Sequence, residues 1–131
     1  MYNFNYFTPT KVVFGRGTEE QVGKLIAQFG GSKVLIHYGG KSAVRSGLID
    51  RIKAALDSEG ISHVELGGVV PNPHLGKVRE GIELGRKEGV DFLLAVGGGS
   101  VIDCCKIVAA QALTANSEAD IQPWLQELGL L

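Results

Sequence analysis

Three features that the sequence has little of exclude whole classes of protein. Positive charge is not in excess, because 13 lysines and arginines are interleaved with 14 aspartates and glutamates, for a net charge of -1. Nucleic-acid binding relies on clustered basic residues, so we expect no nucleic-acid partner. Long apolar runs are missing as well: stretches such as Val34–Ile36 and Phe92–Val96 are far shorter than the ~20 residues that cross a bilayer. We therefore expect no membrane partner.

Cysteine is the third scarce feature. The chain has two, Cys104 and Cys105, and a disulfide between them would be strained because adjacent helical side chains point about 100° apart. They also lack the CxxC spacing of a zinc site, so we interpret them as reduced thiols of the core. Met1–Phe7 has no basic cluster followed by a long apolar run, as a secretory signal would have. These observations favour a cytoplasmic location.

What is present is an alternation of apolar strands, glycine turns and amphipathic helices. A hydrophobic share of 44% and a charged share of 21% over 131 residues are typical of one soluble globular domain. Strands are predicted at Tyr2–Phe7, Lys11–Phe14, Lys33–Tyr38, His63–Leu66 and Phe92–Val96, and helices at Glu19–Phe29, Leu48–Leu56, Leu75–Glu88 and Val101–Ala112. The pattern predicts an α/β fold: an open, mostly parallel Rossmann-like sheet flanked by helices, with a short N-terminal β-hairpin.

The apolar spacing also predicts which side of each element is buried. The inward residues of the first helix are Val22, Leu25, Ile26 and Phe29, and those of the last are Val101, Ile102, Cys105, Val108, Ala109 and Ala112. Phe92–Val96 is continuously apolar, which is typical of a strand covered on both faces.

The sharper of two glycine turns is formed by Gly97, Gly98, Gly99 and Ser100, between a predicted strand and a predicted helix. Glycines let a phosphate approach the backbone, and the helix start offers free N–H groups and a partial positive charge. We therefore expect a pyrophosphate to bind there. The alternative is a plain tight turn, because such a run alone is common in loops.

The second turn contains Gly39, Gly40, Lys41 and Ser42, and it lacks an acid. An Asp or Glu after such a strand binds the ribose 2'-hydroxyl of NAD and disfavours the 2'-phosphate of NADP. Small residues with Ser42, Lys41 and the nearby Arg45 favour NADP instead. A loop chosen only for its turn is the alternative.

Several separated motifs together resemble one family. The run Ala95–Asp103 is similar to the GGGSxxD signature of the iron-dependent (group III) alcohol dehydrogenases. Further segments resemble the butanol dehydrogenase and NADPH-dependent aldehyde reductase branch of that family, namely Asn3–Asn5, Thr8–Gly17, Tyr38–Ser42, Gly68–Pro73 and Ile121–Trp124. They occur in the family's order and cover essentially the whole chain.

The resemblance implies an NADP(H)-binding domain over residues 1–131 and a role for particular residues. Gly97–Ser100 would hold the pyrophosphate, and Gly39, Gly40 and Ser42 would stand near the 2'-phosphate, Gly40 being where NAD-preferring relatives often carry Asp. Asp103 would lie towards the nicotinamide. Pro71 and Asn72 would line the adenosine side, although a loop with two prolines is equally well explained by rigidity alone.

The resemblance also implies a part that we do not find in the chain. Family members continue into a threonine-rich strand and an all-helical domain whose Asp and His residues bind iron or zinc, and we expect this C-terminal metal domain to be absent here. The histidines His37, His63 and His74 show no metal-ligand spacing, so no metal site is predicted. Hydride transfer to a carbonyl needs an electrophile, which the metal supplies in the family.

Three functions therefore stay open. The chain could act in NADPH-dependent reduction of a small aldehyde or oxidation of an alcohol, with the cofactor supplying the hydride. It could bind the dinucleotide without catalysis. It could also be an assembly unit in which an apolar sheet edge pairs between copies. For each of these functions we expect a homo-oligomer.

Overall fold

A computed structural model of the protein describes residues 11–40, 44–68 and 75–112. In this part of the chain a 3-10 helix (Thr18–Gln21) leads into α1 (Val22–Gln28), and then β1 (Lys33–Tyr38), α2 (Leu48–Ser58), β2 (Ser62–Leu66), α3 (Leu75–Glu88), β3 (Phe92–Val96) and α4 (Gly99–Ala112) follow. The alternation of strands and helices confirms the predicted α/β fold.

The described strands form one parallel sheet in the order β2-β1-β3. Leu35 of β1 lies opposite Val64 of β2 and Leu93 of β3. Because all pairs are parallel, the carboxyl ends of the strands lie along one edge, which is where open α/β sheets bind their ligands. Among the described residues no helix is both long and apolar enough to cross a membrane.

The two faces of β1 pack against different helices, because successive side chains of a strand alternate between faces. Leu35 faces α3 and α4, in a core with Val78, Ile82, Val101, Cys104, Ile107 and Val108. Val34 and Ile36 face α1 and α2, in a core with Ile26, Ile49, Ile52, Leu56 and Val96. Complete burial of one such aliphatic side chain stabilises the fold by about 1.5–3 kcal/mol. The protein therefore has helices on both sides of its sheet.

Two of the predicted helix-face positions are wrong. Phe29 is 63% exposed because α1 ends at Gln28, and Phe29 only caps it. Ile102 is 43% exposed, whereas Cys104 and Ile107, which the spacing did not select, are buried. The buried stripe of α4 runs through positions 101, 104, 105 and 108. Residue 102 points about 100° away from residue 101 around the helix axis, so it lies outside this stripe.

Two strand predictions also need correction. Only Val96 of β3 is buried and the other residues are half-buried, because β3 lies at the edge of the described sheet, while β1 has a neighbour on each side. Lys11–Phe14 forms no strand, and Phe14 is 98% exposed. A strand requires a pairing partner, and this segment has none among the described residues. Tyr2–Phe7, the other half of the expected hairpin, lies outside them.

Asp91 ties the start of β3 to the start of β1. Its carboxylate accepts hydrogen bonds from the Ser32 hydroxyl (2.5 Å), the Ser32 N–H (3.0 Å) and the Lys33 N–H (2.9 Å). Its own N–H donates to the Lys33 carbonyl at 3.0 Å. The Ser32 hydroxyl first, and then the Lys33 N–H, lower the pKa of Asp91 below its ordinary value of 3.8.

Asp91→Asn is expected to lower the free energy of unfolding near neutral pH by about 1–2 kcal/mol. Hydrogen bonds to a charged group are worth about 1.5–3 kcal/mol, less where solvent reaches the carboxylate, as it does here. Because the folded pKa is the lower one, the stabilisation is complete above the unfolded value and is lost as the pH falls through the folded pKa.

Urea unfolding measured from about pH 7 down to about pH 2 tests this pH dependence. The wild type should lose more stability on acidification than Asp91→Asn. Glu83→Gln removes an exposed carboxylate of α3 for which the structure shows no bond to another described residue, and it should behave like the wild type. Parallel acid profiles for the wild type and Asp91→Asn would contradict the assignment.

Candidate functional site

The glycine turns that the sequence singled out lie along the carboxyl edge of the sheet. Gly39 and Gly40 follow β1, and Gly97, Gly98 and Gly99 follow β3. Tyr38 pairs with Val96, so the two turns leave neighbouring strands at the same level. The structure therefore brings together two turns that are separated by more than half of the described chain.

Gly97 makes the turn from β3 into α4 possible. Its φ is +146°, a conformation that residues with a side chain rarely adopt, and a Cβ there would lie 2.8 Å from Cγ2 of Val101. The Gly98 carbonyl accepts the N–H groups of Val101 and Ile102, each at 3.1 Å, which starts the helix. The first N–H groups of α4 have no partner within the helix, so they are available to an anion at the sheet edge.

Gly40, Gly98 and Gly99 differ from Gly97, because nothing in the described structure requires glycine there. None of them has a positive φ, and a Cβ at any of the three would meet no described atom within 4 Å. Glycine in a helix costs about 1 kcal/mol relative to alanine. The described residues therefore leave the space above these glycines open, as the close approach of a phosphate to the backbone requires.

Of the remaining predicted site residues, the structure describes only two. Ser100 and Asp103 are both half-buried on α4, Ser100 in its first turn and Asp103 in its second. Ser42, Pro71 and Asn72 lie outside the described residues. No group of three or more His, Cys, Asp or Glu side chains that could hold a metal occurs in residues 11–40, 44–68 and 75–112.

A buried pair beneath this edge was not predicted from the sequence. His37 is fully buried near the end of β1, and its Nε2 lies 3.2 Å from Sγ of Cys104 on α4. Its Nδ1 has no hydrogen-bond partner among the described atoms. The two residues are 67 positions apart in the sequence, which explains why no spacing rule revealed the pair.

Burial keeps this pair uncharged. It lowers the pKa of His37, an effect to which the charge of Lys77 adds, while the backbone of Leu66 and the charge of Glu80 act in the opposite direction. Burial also raises the pKa of the Cys104 thiol to about 11 and that of Cys105 to about 12. Both cysteines are free and buried, which confirms their interpretation as core thiols.

Comparison with known proteins agrees with the arrangement of strands and turns. A sequence model of the family described as iron-containing alcohol dehydrogenase matches residues 9–127. A probable NADH-dependent butanol dehydrogenase 2 of Bacillus subtilis is 52% identical over 110 residues, which is 84% of this chain and 28% of that protein. The NADPH-dependent aldehyde reductase YqhD of Escherichia coli is 41% identical over 95% of this chain and 30% of its own length.

A solved structure shares the fold as well. The NADH-dependent butanol dehydrogenase A of Thermotoga maritima superposes with a TM-score of 0.83 at 48% identity, over 88% of this chain and 29% of that one. The present chain thus spans less than a third of the length of these relatives. The family match over most of its residues, the identity to these dehydrogenases and the shared fold establish that the chain belongs to the iron-containing alcohol dehydrogenase family.

Proposed function

We propose that residues 1–131 form the NADP(H)-binding domain of an iron-type alcohol dehydrogenase or aldehyde reductase. The observation that carries the proposal is the open space over Gly98 and Gly99 at the start of α4, on the carboxyl edge of a parallel sheet. The reaction is hydride transfer between the nicotinamide of NADPH and the carbonyl carbon of a small aldehyde, which becomes the alcohol. The bound cofactor supplies the hydride, and this chain supplies binding and orientation.

The pyrophosphate of the cofactor binds over Gly97, Gly98 and Gly99. The free N–H groups at the start of α4 donate hydrogen bonds to the phosphate oxygens, the helix dipole favours their negative charge, and the Ser100 hydroxyl adds a further donor. Asp103, one turn further along α4, stands towards the nicotinamide. Pro71 and Asn72 border the adenosine.

The preference for NADP(H) follows from the turn after β1. Gly39 and Gly40 carry no side chain, so no carboxylate stands where the ribose 2'-phosphate would bind, and Ser42 with its basic neighbours provides donors. The relatives named above include both NADH-dependent and NADPH-dependent proteins. The cofactor preference therefore rests on the chemistry of this turn.

A second candidate is a nucleotide-binding module without catalysis of its own. It is favoured by the absence of a group of metal donors among the described residues, which do not fit the iron that the family name implies. No step of the proposed reaction is therefore assigned to a metal held by these residues. A homo-oligomer in the cytoplasm is the proposed setting for either function.

Titration of the purified chain with NADPH and NADH, followed by the fluorescence of the reduced nicotinamide, tests the proposal. We expect saturable binding of NADPH and a preference over NADH of about tenfold or more, equal to about 1.4 kcal/mol or more. Butanal with iron or zinc is then added to the NADPH complex. Oxidation of NADPH supports the reductase, whereas binding without oxidation supports the module. No saturable binding of either dinucleotide would rule out both.

A further inference from the structure

The ring of Tyr38, the last residue of β1, packs on Gly67, the residue that follows β2. A Cβ built on Gly67 would lie 2.5 Å from Cε2, 2.7 Å from Cζ and 3.0 Å from the hydroxyl oxygen of Tyr38. Carbon atoms in contact are normally about 3.5–4.0 Å apart. The ring of Tyr38 therefore occupies the place that any side chain at residue 67 would need.

A hydrogen bond continues the ladder of the sheet just beyond this contact. The Gly68 N–H donates to the Gly39 carbonyl at 2.9 Å, although β1 ends at Tyr38 and β2 at Leu66. Gly68 then turns the chain away with a φ of +83°. We call these four residues, Tyr38, Gly39, Gly67 and Gly68, the loop clasp, because they join the exits of the two strands.

The ring of Tyr38 is also anchored in the fold. Tyr38 is half-buried and packs against the core that α1 and α2 form with the sheet. Gly40, by contrast, meets no described atom at the place of a Cβ and is exposed. The position of Gly40 is thus determined by the backbone that leads to it, and the loop clasp holds that backbone.

We propose that Tyr38, seated on Gly67, is a positioning residue that sets the Gly39–Gly40 turn at the distance required by the 2'-phosphate of NADP(H). This inference rests on the proposed function, and it identifies the residue that positions the turn responsible for the preference for NADP(H). A hydrogen bond loses strength outside about 2.7–3.2 Å between its heavy atoms. Movement of the ring by about 1 Å is therefore enough to weaken the phosphate contacts of the turn.

The test compares variants that remove or displace the ring. Tyr38→Ala deletes it, Gly67→Ala pushes it, and Tyr38→Phe keeps it without the hydroxyl. For Tyr38→Ala and Gly67→Ala we expect the Kd for NADPH to rise about tenfold while the Kd for NADH changes little, because NADH has no 2'-phosphate. Tyr38→Phe should keep the wild-type ratio of the two Kd values.

Gly31→Ala is the matched control for a loss of stability alone. A Cβ at Gly31 would lie 2.5 Å from Cγ2 of Ile26, as close as the contact at Gly67, but at the opposite end of β1. It should lower the free energy of unfolding without changing the preference for NADPH. In the background of Tyr38→Ala, Gly67→Ala should have no further effect on NADPH binding, because the ring that it displaces is gone.

The outcomes separate this inference from the proposed function. If the wild type binds NADPH no better than NADH, the assigned cofactor preference fails and the role of the clasp fails with it. If the wild type prefers NADPH and Tyr38→Ala retains that preference, the clasp is refuted while the proposed function stands. Should Gly67→Ala not fold, the comparison of Tyr38→Ala with Tyr38→Phe decides the question alone.

Discussion

Gly99→Leu is expected to raise the Kd for NADPH by about 100-fold or more, which is about 2.7 kcal/mol of binding free energy. The leucine side chain would fill the open space over the first turn of α4, where no described atom lies within 4 Å of a Cβ. It would thereby exclude the pyrophosphate from the free N–H groups. The described residues leave room for it, so the free energy of unfolding should stay the same or rise slightly, since leucine favours a helix more than glycine does.

Lys106→Leu is the matched control for this prediction. Residue 106 is exposed and lies two turns further along the same face of α4, so the variant adds leucine to the same helix without touching the turn. It should bind NADPH as the wild type does. Fluorescence titration gives the two affinities and urea unfolding gives the stabilities. Wild-type affinity in Gly99→Leu would mean that the phosphate does not bind over this turn.

Gly23→Ala is expected to lower the free energy of unfolding by about 3 kcal/mol, at the upper end of the usual cost of overpacking. Gly23 is buried in α1, and a Cβ there would lie 2.3 Å from the carbonyl oxygen and 2.9 Å from the carbonyl carbon of Ala55 in α2. These are backbone atoms, which cannot rotate away as a side chain can. The two helices must therefore separate, and the core beneath them loosens.

Gly76→Ala tests the same substitution where the described residues leave space. Gly76 lies in the first turn of α3 without a positive φ, and a Cβ there meets no described atom within 4 Å. This variant should be as stable as the wild type or more stable by up to about 1 kcal/mol, because alanine favours helix. Urea unfolding measures both variants. Equal stabilities of Gly23→Ala and the wild type would show that α1 and α2 do not approach so closely.

The turn at Gly97–Ser100 is a feature that local sequence could indicate. Gly97 needs its glycine for the backbone conformation, and a sequence rule for strand, glycine turn and helix identifies it. The open space over Gly98 and Gly99 has a different origin, because the described residues around them leave room that none of these residues fills. Both kinds of glycine look alike in the sequence, and only the packing around them separates the two reasons.

By itself, the sequence determined the periodic elements: it predicted β1 at Lys33–Tyr38, α3 at Leu75–Glu88 and β3 at Phe92–Val96 with the bounds that the structure has. Apolar spacing and glycine punctuation are local, so they can be read within a few residues. Tertiary structure alone decided that His37 meets Cys104, that Gly23 meets Ala55 and that Tyr38 rests on Gly67. Such contacts depend on strand order, register and the distance between helices, and these are set by the packing of the whole core rather than by any one segment.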